Sequence, residues 1–161
     1  MAILLAEDDP SVRLVMSRYL SRIGEVLTAE NGAEALERAS DPEVDLIISD
    51  HKMPIKTGIE LLVDLRARHI KLPFVLYTGG IPSDTDFRTL ILNQAVYLMK
   101  PIKMDELFAT IDLARKISAA ESSNYHSGCQ EVFTIRDIDG IKWCPIPSGC
   151  QYNDNTRCKY G

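Results

Sequence analysis

Along the first 118 positions the apolar residues follow two alternating rhythms. Short, nearly uninterrupted apolar runs at 2–6, 45–49 and 73–77 have the character of strands buried on both faces, and 25–29 and 96–99 are predicted as two further strands. Between them the apolar spacing becomes helical. Val12, Val15, Met16, Tyr19, Leu20 and Ile23 recur every three to four positions with Arg13, Arg18 and Arg22 interspersed, and Asp9-Pro10 supplies a capping acid followed by proline. A second helix is expected over 31–40 on Ala33, Ala35, Leu36 and Ala39. A third, over about 57–68, should bury Ile59, Leu62, Val63 and Leu65. Ser83-Asp84-Thr85-Asp86 has the form of a capping box opening a fourth helix, with Asn93 placed to end it in a left-handed turn, and a fifth spans 104–118. Five strands alternating with five helices predict a doubly wound α/β domain, a parallel sheet with right-handed crossovers and helices on both faces.

Composition adds limits. The chain has 161 residues, 45% of them apolar and 25% charged, enough for one domain and an appendage. Eighteen Lys plus Arg against 23 Asp plus Glu give a net charge of −5, which argues against nucleic acid as a partner. No stretch approaches the roughly 18 apolar residues of a membrane helix, and Met1-Ala2-Ile3-Leu4-Leu5-Ala6 lacks the basic start of a secretory signal. A cytoplasmic location is expected.

In sheets of this kind ligand chemistry gathers where the strands end at their carboxyl edge. Glu7, Asp8 and Asp9 follow the first strand, Asp50 the third, Thr78 and two glycines the fourth, and Lys100-Pro101 the fifth. Any one of these has an ordinary explanation as a cap, a turn or a surface charge. Acids from two strands, a hydroxyl from a third and an ammonium from a fourth, converging on one edge, form a specific set. Carboxylates crowded in this way repel unless a cation neutralises them, and Mg²⁺ held by one or two carboxylates would still be open to a phosphate oxygen.

These residues, with Met53-Pro54 and Gly58 behind Asp50, make the segment to about residue 118 resemble the receiver domain of two-component response regulators. The resemblance implies a flavodoxin-like, five-stranded parallel sheet in the order 2-1-3-4-5. It implies Asp50 as phosphoacceptor, with Asp8, Glu7, Asp50 and the backbone carbonyl of Lys52 around Mg²⁺. Thr78 becomes the hydroxyl that turns toward the phosphoryl group, Tyr97 its coupled aromatic, and Lys100 the ammonium at the site. The implied role is signalling rather than enzymatic turnover. A sensor histidine kinase or phosphotransfer protein is the implied donor, an unknown protein the downstream partner, and a homodimer can be envisaged. His51 is expected as a surface side chain, and His69 beside a helix end. Lys52 and Gly80 are placed to tune water access.

Residues 119–161 differ in character. They carry all four cysteines, Cys129, Cys144, Cys150 and Cys158, with His126 nearby, and a hairpin is expected over 132–143 turning at Asp139-Gly140. With no CxxC pair, zinc, free or redox-active thiols and disulfides all stay open. The tail offers no amphipathic helix pair for a helix-turn-helix, so no DNA-binding output is expected. Two further classes compete with the switch. A metal- or redox-sensing regulator would act through the cysteines. A phosphohydrolase of the haloacid-dehalogenase kind would need Asp-x-Asp after strand one, where position 10 is proline. The phosphate-loop motif of nucleotide-binding proteins is absent from the sequence.

Overall fold

The computed structural model describes residues 1–122, so the four cysteines, His126 and the expected hairpin lie outside the described residues. The elements run β1 (Ala2–Ala6), α1 (Pro10–Leu20), β2 (Glu25–Ala29), α2 (Gly32–Arg38), β3 (Val44–Asp50), α3 (Gly58–Ala67), β4 (Phe74–Thr78), α4 (Asp84–Leu92), β5 (Val96–Met99) and α5 (Met104–Ser122). The strands form one parallel sheet in the order β2-β1-β3-β4-β5.

Strand alternation builds two cores, one on each face of the sheet. Leu4, Ile47, Phe74 and Leu76 point to one side, where Leu36 of α2, Leu61, Leu62 and Leu65 of α3 and Leu90 of α4 cover them. Ile3, Leu5, Leu46, Ile48, Val75 and Tyr77 point to the other, beneath Met16 and Leu20 of α1 and Leu107, Ile111 and Ala114 of α5. Every residue of β1 and β4 is buried, which explains their apolar composition. β5 is an edge strand and alternates instead, with Val96 and Leu98 buried and Tyr97 and Met99 exposed.

Local chemistry sets the helix ends. Asp9 accepts from the Ser11 and Val12 amides ahead of Pro10, and these bonds hold its carboxyl below the ordinary carboxylate range. Thr57–Glu60 and Ser83–Asp86 both form reciprocal capping boxes. At Gly58 the start of α3 presses against the end of β3. A Cβ there would lie 2.4 Å from the Asp50 carbonyl oxygen and 2.5 Å from Leu76 Cδ1.

Three details depart from the sequence pattern. On α3 the buried stripe is Gly58, Leu61, Leu62 and Leu65, a set spaced by three and four, and Val63 faces solvent. On α1, Met16 and Leu20 are buried whereas Val15 is exposed, as is Ile23 just beyond the end of the helix. At the end of α4 the left-handed residue is Gln94 (φ 54°), not Asn93 (φ −102°). The Asn93 amide still bonds to the Thr89 carbonyl, and its own carbonyl accepts from the Arg66 guanidinium, so the reversal falls one residue later. There the Ala95 amide reaches back to the Leu90 carbonyl, as the Ile70 amide does to Leu65 after left-handed His69.

Gly58→Ala tests the close approach of α3. Alanine would gain about 0.5–1 kcal/mol of helix propensity over glycine, against overpacking of roughly 1–3 kcal/mol from the backbone contact. Urea unfolding of the variant should therefore show a net loss of stability; unchanged or increased stability would contradict the packing described.

Candidate functional site

The parallel sheet brings the carboxyl ends of β1, β3, β4 and β5 to one edge. Asp50 is the last residue of β3 and Thr78 the last of β4, while Glu7 follows β1 and Lys100 follows β5. Register keeps them close. Asp50 pairs with Tyr77 across β3 and β4, and Thr78 pairs with Met99, the residue before Lys100.

The acids meet as expected. One carboxylate oxygen from each of Glu7, Asp8 and Asp50 falls within a group whose members all lie within 4.8 Å of one another. Glu7 and Asp50 are buried and Asp8 is exposed. Lys100 Nζ donates to Asp50 Oδ1 at 2.8 Å and stands 3.6 Å from Glu7 Oε2. Nearby Arg13 is engaged elsewhere: its guanidinium donates to the Glu7 and Asp8 carbonyls and pairs with Glu30. Three carboxylates against one ammonium leave −3 + 1 = −2 at this point. A hard dication with oxygen ligands matches that residue of charge, and the donors brought together are carboxylate oxygens, the hard ligand type that suits Mg²⁺.

Thr78 is buried and its hydroxyl is engaged locally. It donates to the Gly80 carbonyl at 3.0 Å and accepts from the Gly80 amide at 3.2 Å. The two glycines are open around their Cα atoms, so the loop turns here without side-chain obstruction. Tyr97 lies outward, 37% exposed, with its ring edge-on to Phe87 at 5.7 Å and 71°. Lys52 stands in the β3–α3 loop with its side chain exposed.

Two side chains have contacts that the sequence pattern did not reveal. The reading of His51 as a surface residue is corrected: its Nδ1 lies 3.3 Å from Thr78 Oγ1 and its Nε2 3.8 Å from Asp86 Oδ2 at the start of α4. The cause is local. The His51 amide donates to the Tyr77 carbonyl at 3.0 Å, extending the β3–β4 ladder by one residue and carrying the ring to the Thr78 side. Tyr77 is the second. Completely buried, it donates its hydroxyl to Glu7 Oε2 at 2.5 Å, and Lys100 Nζ sits 4.6 Å from its ring centroid. Burial, then the bond to Glu7 and the surrounding carboxylates, push the Tyr77 phenol up from its ordinary value, so it remains a donor. A buried tyrosine needs a partner for its hydroxyl, which is the signal an apolar strand containing Tyr offers; the identity of that partner is set by tertiary structure alone.

Comparison with known proteins agrees with this geometry. The family described as the response regulator receiver domain matches residues 3–112. The "DNA-binding transcriptional regulator NtrC" of Escherichia coli is 36% identical over 113 residues, 68% of this chain and 24% of that protein. The "Transcriptional regulatory protein PdtaR" of Mycobacterium tuberculosis is 32% identical over 125 residues, 74% of this chain and 60% of that protein. The chain thus spans about a quarter of NtrC and about three fifths of PdtaR. Among solved structures, the Vibrio cholerae chemotaxis protein CheY4 superposes with a TM-score of 0.62 at 31% identity, covering 69% of this chain and 95% of that one. Among the described residues no helix is long and apolar enough to cross a membrane.

If the acids form a dication site, Mg²⁺ should stabilise the fold by mass action, by ~1.4 kcal/mol at ten times its Kd. Thermal unfolding should show Tm rising with MgCl₂ for the natural sequence and far less for Asp8→Asn or Asp50→Asn. Equal shifts in all three proteins would remove these side chains from the metal site.

Proposed function

The chain belongs to the response regulator receiver family, and from that membership we propose that it accepts a phosphoryl group on Asp50 and signals through a Mg²⁺-dependent change in the loop and helix beyond Thr78. The observation that carries the reading is the meeting of Glu7, Asp8 and Asp50 at one point with Lys100 on Asp50. Members of this family are signalling phosphoacceptors that bind Mg²⁺ through an acidic pocket.

The donor is a phosphohistidine of a sensor kinase or phosphotransfer protein. An Asp50 carboxylate oxygen attacks phosphorus, a new O–P bond replaces the N–P bond, and the imidazole departs with the electron pair and takes up a proton. Such transfers leave little covalent work to the protein, whose part is positioning and charge. The end of β3 fixes Asp50, and Gly58 lets α3 seat tightly behind it. Lys100 lies at hydrogen-bond distance from the accepting carboxylate and offers its ammonium to the incoming phosphoryl oxygens. Asp8, Glu7, Asp50 and the Lys52 carbonyl are the groups that would hold Mg²⁺, which supplies charge neutralisation for carboxylates and phosphoryl oxygens alike.

Signalling follows from competition for the Thr78 hydroxyl. At rest it is satisfied by Gly80 and adjoins His51, while Tyr97 lies outward. A phosphoryl group on Asp50 presents stronger, charged acceptors. Thr78 then leaves its local turn, and Tyr97 turns into the space released. The face formed by α4, β5 and α5, where Leu92 and Met99 are also exposed, changes shape. Output runs through protein contacts at that face, with a downstream protein or a second copy of the chain as partner.

Acetyl phosphate with Mg²⁺ should add one phosphoryl group by mass spectrometry, and beryllofluoride with Mg²⁺ should shift amide resonances around Thr78 and α4. Asp50→Asn should abolish both responses, and Thr78→Ala should keep the first while reducing the second. Phosphorylation retained by Asp50→Asn would sink the assignment.

A further inference from the structure

Tyr77 stands at the acidic site without belonging to its charged set. Strand alternation turns it to the α1–α5 side of the sheet, where it packs with Ile3, Leu5 and Val75 and is fully buried. Its hydroxyl reaches one oxygen of Glu7 at 2.5 Å, and the other, Oε1, accepts from the Asp9 amide at 3.1 Å. Both oxygens of this buried carboxylate are thus held by donors of the protein. The Asp8 carboxylate, by contrast, is exposed and has no partner among the described residues. Lys100 rests with Nζ 4.6 Å from the Tyr77 ring centroid while donating to Asp50 at 2.8 Å.

From these contacts we infer that Tyr77 is a positioning residue of the divalent-cation site: its hydroxyl fixes the orientation of Glu7 and its ring seats Lys100. A carboxylate free to rotate in a buried pocket would present either oxygen to Lys100 or to an ion. Held from both sides, Glu7 contributes its charge in one fixed place. The fixed Glu7 carboxylate then stands with Asp50, held by Lys100, and the exposed Asp8 around the cation position. A phenol serves better here than an aliphatic residue because one rigid side chain gives an in-plane donor to Glu7 and an aromatic face to the ammonium. Loss of a donor behind a metal ligand typically costs about 10–100-fold in metal affinity.

This inference rests on the reading of Glu7, Asp8 and Asp50 as a cation site, and its test separates the two. The ¹⁵N-labelled full chain is titrated with MgCl₂ at fixed ionic strength, and Kd is taken from amide shifts. Five proteins are compared: the natural sequence, Tyr77→Phe, Tyr77→Leu, Glu7→Ala and the Glu7→Ala, Tyr77→Phe double variant. Tyr77→Phe retains the ring beneath Lys100 and removes only the hydroxyl, and its amide spectrum without Mg²⁺ reports whether the fold is kept. Kd should rise roughly tenfold, the lower end of what loss of such a donor costs a metal site. In the Glu7→Ala background, where no acceptor remains for the hydroxyl, the same change should leave Kd essentially unaltered, because the hydroxyl acts through Glu7. Tyr77→Leu, which also removes the ring, should weaken binding beyond Tyr77→Phe. An unchanged Kd in Tyr77→Phe would overturn the inference, and so would an equal loss in both backgrounds, which marks a general packing effect. Absence of any Mg²⁺ response in the natural sequence would instead overturn the cation site itself.

Discussion

Like charges held together at the edge of a sheet are the constraint around which this domain is organised. Glu7 and Asp50 are both buried, and at separations up to 4.8 Å their repulsion is roughly 3 kcal/mol for an effective dielectric near 20. That is a large share of the 5–15 kcal/mol by which a domain of this size is stable. The arrangement persists because Lys100 touches Asp50 at 2.8 Å, closer than the acids lie to each other at their widest, while Tyr77 and the Asp9 amide occupy Glu7. Asp8, at the exposed rim, keeps part of its hydration. The pocket is therefore tolerable without being neutral, and the uncompensated charge is what gives a dication something to bind.

The site and the two cores are products of the same geometry. Strands buried along their whole length, such as β1 and β4, carry no charged residue, so Glu7 stands just past the end of β1. Parallel pairing then brings the strand ends to one edge. Gly58 shows how closely the surrounding frame is drawn, since even one methyl group would collide with the Asp50 carbonyl. The proposed role of Asp50 as phosphoacceptor would need such rigidity, with the nucleophilic oxygen held in place relative to Lys100.

Much of this was legible in the sequence because it depends on period and order. The alternation of apolar runs with helical spacing gave all five strands and five helices, and the chemistry at strand ends named Glu7, Asp8, Asp50, Thr78 and Lys100, which the fold brings to one edge. What the pattern missed depends on tertiary detail. Choosing between Leu61 and Val63 required the rotation of α3 about its axis, which is set by the seat of Gly58. The left-handed residue after α4 shifted from Asn93 to Gln94 because Arg66 claims the Asn93 carbonyl, a contact 27 positions away in the chain. His51 looked like a surface residue because nothing local announces that one more ladder bond carries its ring to Thr78. Tyr77 looked like one more apolar strand residue, and its partner Glu7 is 70 positions distant.

Tyr77 and Thr78, the last two residues of β4, divide the labour of this edge. Successive positions of a strand face opposite sides, so Tyr77 and Thr78 point to different layers of the molecule. Tyr77 faces α1 and α5, where it donates to Glu7 and lies against Lys100. Thr78 borders the loop leading to α4, held by Gly80 and adjoining His51, whose other nitrogen faces Asp86 in the α4 capping box. A chain of side chains therefore runs from the Thr78 hydroxyl to the first turn of α4. One short segment of β4 thus serves both the acidic pocket and the approach to α4, and the alternation of a β-strand is what keeps the two apart.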